Sequence, residues 1–228
     1  FWYFYNFIFA QGGNKVNRAR FERQTAVQSM REIKKYGWEI DSLIRMSLGC
    51  KNNVEFVDNF FNKFLKENNK TIWAEKTPSN AYYFKSFLKL YPQGRIIHIY
   101  RDYKDVVASF QKRGMTAYYS SMLYLYNTAS ALSCRGNKNY YELSYEDLVN
   151  NPSGSLKSIC NFLNLVYDES MLHSRNENVS GKLRSWNNDP SSKISLSSIG
   201  RGRTELSKYN YFVFDHIRIS RSHVTKHK

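Results

Sequence analysis

Two arginines and a serine carry the first chemical signal in this chain. Arg101 closes a short run, Arg95-Ile96-Ile97-His98-Ile99-Tyr100, and Ser109 and Arg113 follow it four residues apart. The run is β-branched and aromatic, which suits a buried strand. Asp102 is placed to cap a helix in which Val106, Val107 and Phe110 pack inward, with Ser109 and Arg113 on a neighbouring row. A cation at a strand end, with a hydroxyl and a second cation on the next helix, converges outside the carboxyl edge of a sheet. Open α/β sheets bind anions there. Arg101 offers a fork of donors to a phosphate and Ser109 one hydroxyl. An Arg-Asp pair at a strand end also suits a structural ion pair.

This strand-turn-helix resembles that of the sulfotransferase family, where it grips the 3′-phosphate of the sulfate donor PAPS (3′-phosphoadenosine 5′-phosphosulfate). Further motifs follow in family order. Glu75-Lys76-Thr77-Pro78 is similar to the EKTP loop of the Golgi-type and bacterial branches. Tyr145-Glu146-Asp147-Leu148, with Pro152 after it, is similar to their Y-E-D-L…P segment, and Ser197-Ser198-Ile199-Gly200-Arg201 to their C-terminal S-S-I-G-R-W loop.

The resemblance implies a PAPS-dependent transferase with no metal, moving a sulfuryl group to a hydroxyl or amine of a glycan, a peptide tyrosine or a lipid. It assigns Arg101, Ser109, Arg113 and Tyr145 to the donor nucleotide, with Arg201 closing over it. Lys76, matching a lysine of protein-tyrosine sulfotransferases, would stabilise charge passing between leaving group and acceptor; its other reading is a solvated loop lysine. Ser185, in Leu183-Arg184-Ser185-Trp186, aligns loosely with a family serine near the sulfuryl group. Gly202 departs from the pattern, standing where the family has tryptophan. The family's donor loop, of the R-S-G-T-T kind, has no match in residues 1 to 30, where Gln11-Gly12-Gly13-Asn14 is the glycine-rich stretch. The expectation is a chain that starts downstream of that loop, lacks the glutamate base and does not turn over alone. Its compartment would be cytoplasmic if bacterial, or the Golgi lumen, with an anchor upstream, if eukaryotic.

The elements that must position these residues are legible in part. Residues 14 to 36 read as a mixed-charge, mostly helical surface stretch. Ile40, Leu43 and Ile44 start a second helical piece, and Val54, Val57, Phe61, Phe64 and Leu65 recur at helical spacing. Thr71 to Ala74 reads as a short strand. Ser79 opens a helix with a stripe of Phe84, Phe87, Leu88 and Tyr91, ended by Pro92 and Gly94. A long helix follows from Ala117 to about Ser133. Its Tyr118, Tyr119, Tyr124 and Tyr126 read as core at this spacing, with sugar or base stacking as the alternative. Asn139 to Ser144 reads as a further parallel strand, and Leu156, Ile159, Cys160 and Leu163 as one face of the helix after it. Alternating strands and helices give an α/β layer architecture. With the resemblance, the expected fold is a three-layer α/β/α sandwich about a central parallel sheet, like that of P-loop nucleotide hydrolases. No Walker-type P-loop sequence is present.

A length of 228 residues fits one domain, with a long loop over residues 173 to 200 and a basic tail over 216 to 228 that is expected to fray. A hydrophobic share of 42% excludes wholesale disorder, and no apolar run reaches the length of a membrane span. Net charge is +15, from 34 basic and 19 acidic residues, which implies acidic partners, with a solvated lysine-rich surface as the other reading. In the enzyme reading the partners are the donor and an acidic acceptor rather than nucleic acid. The rival is a basic nucleic-acid or polyanion binding module. Cys50, Cys134 and Cys160 suggest neither a metal site nor a disulfide framework, and the five histidines form no spaced cluster with carboxylates.

Overall fold

The computed structural model describes residues 37–173 and 196–211. The chain divides into two compact units, Phe1–Asn80 and Ala81–Lys228. The readings of residues 14 to 36, of Ser185 and of the basic tail lie outside the described residues.

In the first unit, α1 (Ile40–Gly49) and α2 (Asn53–Glu67) pack as a pair. Asn52 caps α2 by accepting from the Glu55 N–H at 3.0 Å, and Glu55 reaches back to the Lys51 N–H at 2.7 Å. The first bond satisfies a donor that a helix start leaves open, and the second ties the preceding residue to the helix. The buried stripe is Phe56, Val57 and Phe60, joined by Leu43 of α1. It lies one position from the expected stripe, because Trp38 stacks on Phe60 at 5.6 Å while Phe61 is covered separately by Trp73 at 4.4 Å. Thr71 to Ala74 is not a strand. A strand exists by its ladder, and the described sheet has two members, both in the second unit.

A 3₁₀ turn, Pro78–Tyr83, leads into α3 (Phe84–Leu90), whose stripe of Phe84, Phe87 and Leu88 is half-buried. Then come β1 (Ile96–Tyr100), α4 (Tyr103–Gln111), α5 (Ala117–Leu132) and β2 (Tyr140–Ser144). β1 and β2 are parallel, pairing Ile96 with Tyr140 through Tyr100 with Ser144. Parallel neighbours need a long crossover, and α4 with α5 supplies it. The chain continues through α6 (Tyr145–Asn150) and α7 (Pro152–Leu163), which keeps Cys160 buried as expected. After residue 195 a 3₁₀ turn, Leu196–Ser198, leads to α8 (Arg201–Glu205). Val107 and Ala108 of α4 form a buried cluster with Leu206, which follows α8.

Three expectations shift here. β1 is not buried throughout: Ile96 is, but Ile99 is 51% exposed. The helix after Asp102 ends at Gln111, so Arg113 sits in the turn beyond it. Gly114 closes that turn at φ +83°, a conformation the helix cannot continue through. On α5 the buried side chains are Ser120, Ser121 and Ala131, while Tyr118 and Tyr126 are 76% and 61% exposed. Small residues let α5 lie close to α4. Their hydroxyls bond back to the carbonyls of Thr116 and Ala117 at 2.8 and 2.7 Å, so burying them leaves no donor open.

Candidate functional site

The corner between β1 and α4 is pinned from several sides. Asp102 accepts from the Asp105 N–H at 3.1 Å and so caps α4, as its place in the sequence predicts. The Asp102 N–H donates to Glu146 of α6 at 2.9 Å, and the Arg101 carbonyl accepts from the Tyr124 hydroxyl of α5 at 3.0 Å. Two helices therefore fix the backbone from which Arg101 projects.

The Arg101 side chain is held as firmly. Its Nη2 donates to Asp105 at 3.2 Å and to the carbonyl of Ser198, and the guanidinium lies over the Tyr145 ring at 4.7 Å. Its Nε–H is buried with no partner among the described residues. Arg101 and Tyr145, which the resemblance assigns to the donor nucleotide, are thus brought side by side. The sequence did not single out Asp105, the residue that links Arg101 to the C-terminal segment. Asp105 is 1% exposed and accepts from the Gly200 and Gly202 N–H groups at 2.8 Å each, besides Arg101. A signal was available: Asp105 stands four residues after Arg101 and four before Ser109, on one helical row.

Ser109 is half-buried one turn along that row, and among the described residues no partner takes its hydroxyl. Arg113 is not brought to this row. It is exposed, with its guanidinium 5.6 Å from the Phe110 ring. Arg201 starts α8, with Nε 3.4 Å from Glu205, inside ion-pair range but without hydrogen-bond geometry. Glu205 also takes the Lys112 ammonium at 2.6 Å, joining α8 to the end of α4. Gly202 explains its own departure from tryptophan. A Cβ there would stand 2.6 Å from the Lys104 Cβ and 2.7 Å from its backbone carbon, so no side chain fits. Lys76, in the first unit, is exposed; beside it the Glu75 carboxylate accepts from Thr77 and Asn80, which shapes the loop.

A second polar group lies on the sheet. Arg135 grips Glu142 with Nε at 2.8 Å and Nη2 at 2.7 Å, and Tyr140 donates to Glu142 at 3.0 Å. His98 Nδ1 lies 2.8 Å from the Tyr140 oxygen. Because the Tyr140 proton goes to Glu142, Nδ1 carries the hydrogen and donates. His98 is therefore linked to a carboxylate through a phenol, a cluster that the sequence spacing hid. Burial lowers the His98 pKa below its ordinary 6.5, against the pull of Glu142. Burial, then the Glu142 charge and bond, push the Tyr140 phenol far up. Burial would raise Glu142, but the bonds from Arg135 and Tyr140 outweigh it and hold the carboxyl below 4.5. Among the described residues no group of His, Cys, Asp and Glu is placed to hold a metal ion, and no helix is long and apolar enough to cross a membrane.

Comparison with protein families gives one match, to the sulfotransferase family over residues 24–169, a stretch that contains Lys76, Arg101, Ser109, Arg113 and Tyr145 but neither Ser185 nor Arg201. Neither the curated proteins nor the solved structures gave a match. The match covers well over half of the chain and centres on the β1–α4 corner, so the chain belongs to the sulfotransferase family and its α/β fold serves sulfuryl transfer.

Proposed function

We propose that the chain binds PAPS with the β1–α4 corner and passes its sulfuryl group to a hydroxyl or amine of a glycan, peptide tyrosine or lipid. The observation that carries this reading is the uncommitted donor capacity of Arg101. Its backbone is pinned, its Nη2 is fully engaged, and its Nε–H is buried without an acceptor among the described residues. A buried donor left open costs free energy, and a phosphate oxygen relieves it. The residues present therefore fit an anion.

PAPS supplies the sulfuryl group when bound. The chain supplies position and charge, which dominate in-line transfer of such groups. Arg101 and Ser109 donate to the 3′-phosphate, with the Tyr145 ring holding the guanidinium plane. Arg201 closes over the nucleotide. Family resemblance gives Lys76 the charge developed during transfer, Ser185 a place near the sulfuryl group and Arg113 a weaker hold on the nucleotide. The full fold is the three-layer α/β/α sandwich of the family's Golgi-type and bacterial branches. Calorimetry with adenosine 3′,5′-bisphosphate and adenosine 5′-monophosphate tests the reading. The 3′-phosphate should tighten binding about tenfold or more, the worth of one charge-assisted hydrogen bond. Equal affinity for the two nucleotides overturns it.

A further inference from the structure

Ser198 to Gly202 form a strap whose hydrogen bonds to the corner run through Asp105 and Arg101. Asp105 takes two strap amides, and its Arg101 partner takes the strap carbonyl of Ser198. The carboxylate is buried, and the strap residues it holds stand 95 and 97 positions away in the chain. Gly202 lies so close to Lys104 that even a Cβ would collide, so the strap fits one seat. Arg201 falls between the two anchored amides, so its backbone position is set with them.

We propose that Asp105 is a positioning residue for nucleotide binding, seating the strap so that Arg101 and Arg201 are set together on the donor. This rests on the donor assignment above and extends it. The Asp105 carboxylate neutralises part of the Arg101 charge while fixing Nη2, which leaves Nη1 and Nε of the guanidinium without an acceptor among the described residues. Seating of the strap and binding of the nucleotide are then coupled, and each must strengthen the other to the same degree.

Hydrogen exchange followed by mass spectrometry, over peptides covering residues 198 to 206 of the whole chain, reads the seat directly. Asp105→Asn removes the ion pair and one acceptor oxygen, and should speed exchange in the strap about tenfold while leaving α2 unchanged. Gly202→Ala unseats the strap from its own side without altering a charge, and should reproduce the effect if Asp105→Asn folds poorly. Adenosine 3′,5′-bisphosphate should slow strap exchange in the wild type and fail to do so in either variant, with its affinity lowered about tenfold. Adenosine 5′-monophosphate should bind all three alike. Unchanged strap exchange in both variants overturns the seat. Faster exchange with unchanged affinity for the bisphosphate overturns the coupling. A wild type whose strap exchange responds to the substitutions, yet which binds no bisphosphate, refutes the donor assignment and leaves the seat standing.

Discussion

Two of the arginine–carboxylate pairs described in the second unit are of opposite construction. Arg135 and Glu142 meet with two nitrogens of the fork, seven residues apart in sequence, and Tyr140 and His98 occupy what remains of the carboxylate's surroundings. Arg101 and Asp105 meet through one nitrogen at 3.2 Å, and the carboxylate spends its other bonds on a strap far along the chain. The first group is closed, with every named polar atom answered by another. The second leaves a buried Nε–H open and places a hydroxyl without a described partner one helical turn away. A closed group holds a fold together, whereas an open one, kept in place by its neighbours, can receive a ligand. The same chemistry of guanidinium and carboxylate thus does structural work on the sheet and, in the proposed reading, binding work at the corner.

The comparison breaks most visibly at the closed group. Glu142→Leu leaves Arg135 unpaired and the Tyr140 hydroxyl without its acceptor, and should destabilise the unit by about 2–3 kcal/mol. Urea unfolding measures this, and the folded fraction should keep its affinity for adenosine 3′,5′-bisphosphate. An equal loss of affinity would mean that the two groups are one site.

What the sequence disclosed follows the range of the interactions. The Asp102 cap, β1, the two helices of the first unit and the buried Cys160 depend on neighbours a few residues away, and all are found. The row shared with Arg101 and Ser109 pointed to Asp105 but not to its part as a hub, because its amide partners lie near residue 200. Tyr118, Tyr119 and Tyr126 of α5 were misread, while Tyr124 is part-buried against Tyr103, because helical spacing says that a face exists, not which face is covered; close approach of α4 chose the serines. Arg113 kept the right spacing from Ser109 and lost its row when the helix ended at Gln111. Thr71 to Ala74 had strand-like composition and no ladder among the described residues.

A smaller effect sharpens the corner. Ser109→Ala removes a hydroxyl with no described partner, so the urea midpoint should hold while affinity for the bisphosphate falls about tenfold. Loss of stability without loss of affinity would return Ser109 to a packing role. Smaller still is the pH response of the closed group. His98 has its pKa lowered on folding, so between that value and 6.5 the unfolded chain binds more protons than the folded one. Stability should therefore decline as the pH drops below about 6.5, and decline again as Glu142, held below 4.5, is protonated. Urea midpoints at several pH values check this. His98→Gln should flatten the first slope and leave the second, and a midpoint that rises on acidification would contradict the assignment.

The most direct measurement is calorimetric titration of adenosine 3′,5′-bisphosphate into the wild-type chain and Arg101→Ala, with circular dichroism confirming that both are folded. If the corner binds the donor through the open side of Arg101, the substitution should weaken binding by roughly 10- to 100-fold, the range for a charge-assisted bond to phosphate. Equal binding by the two chains would contradict the account, and would make Arg101 the structural partner of Asp105 and nothing more.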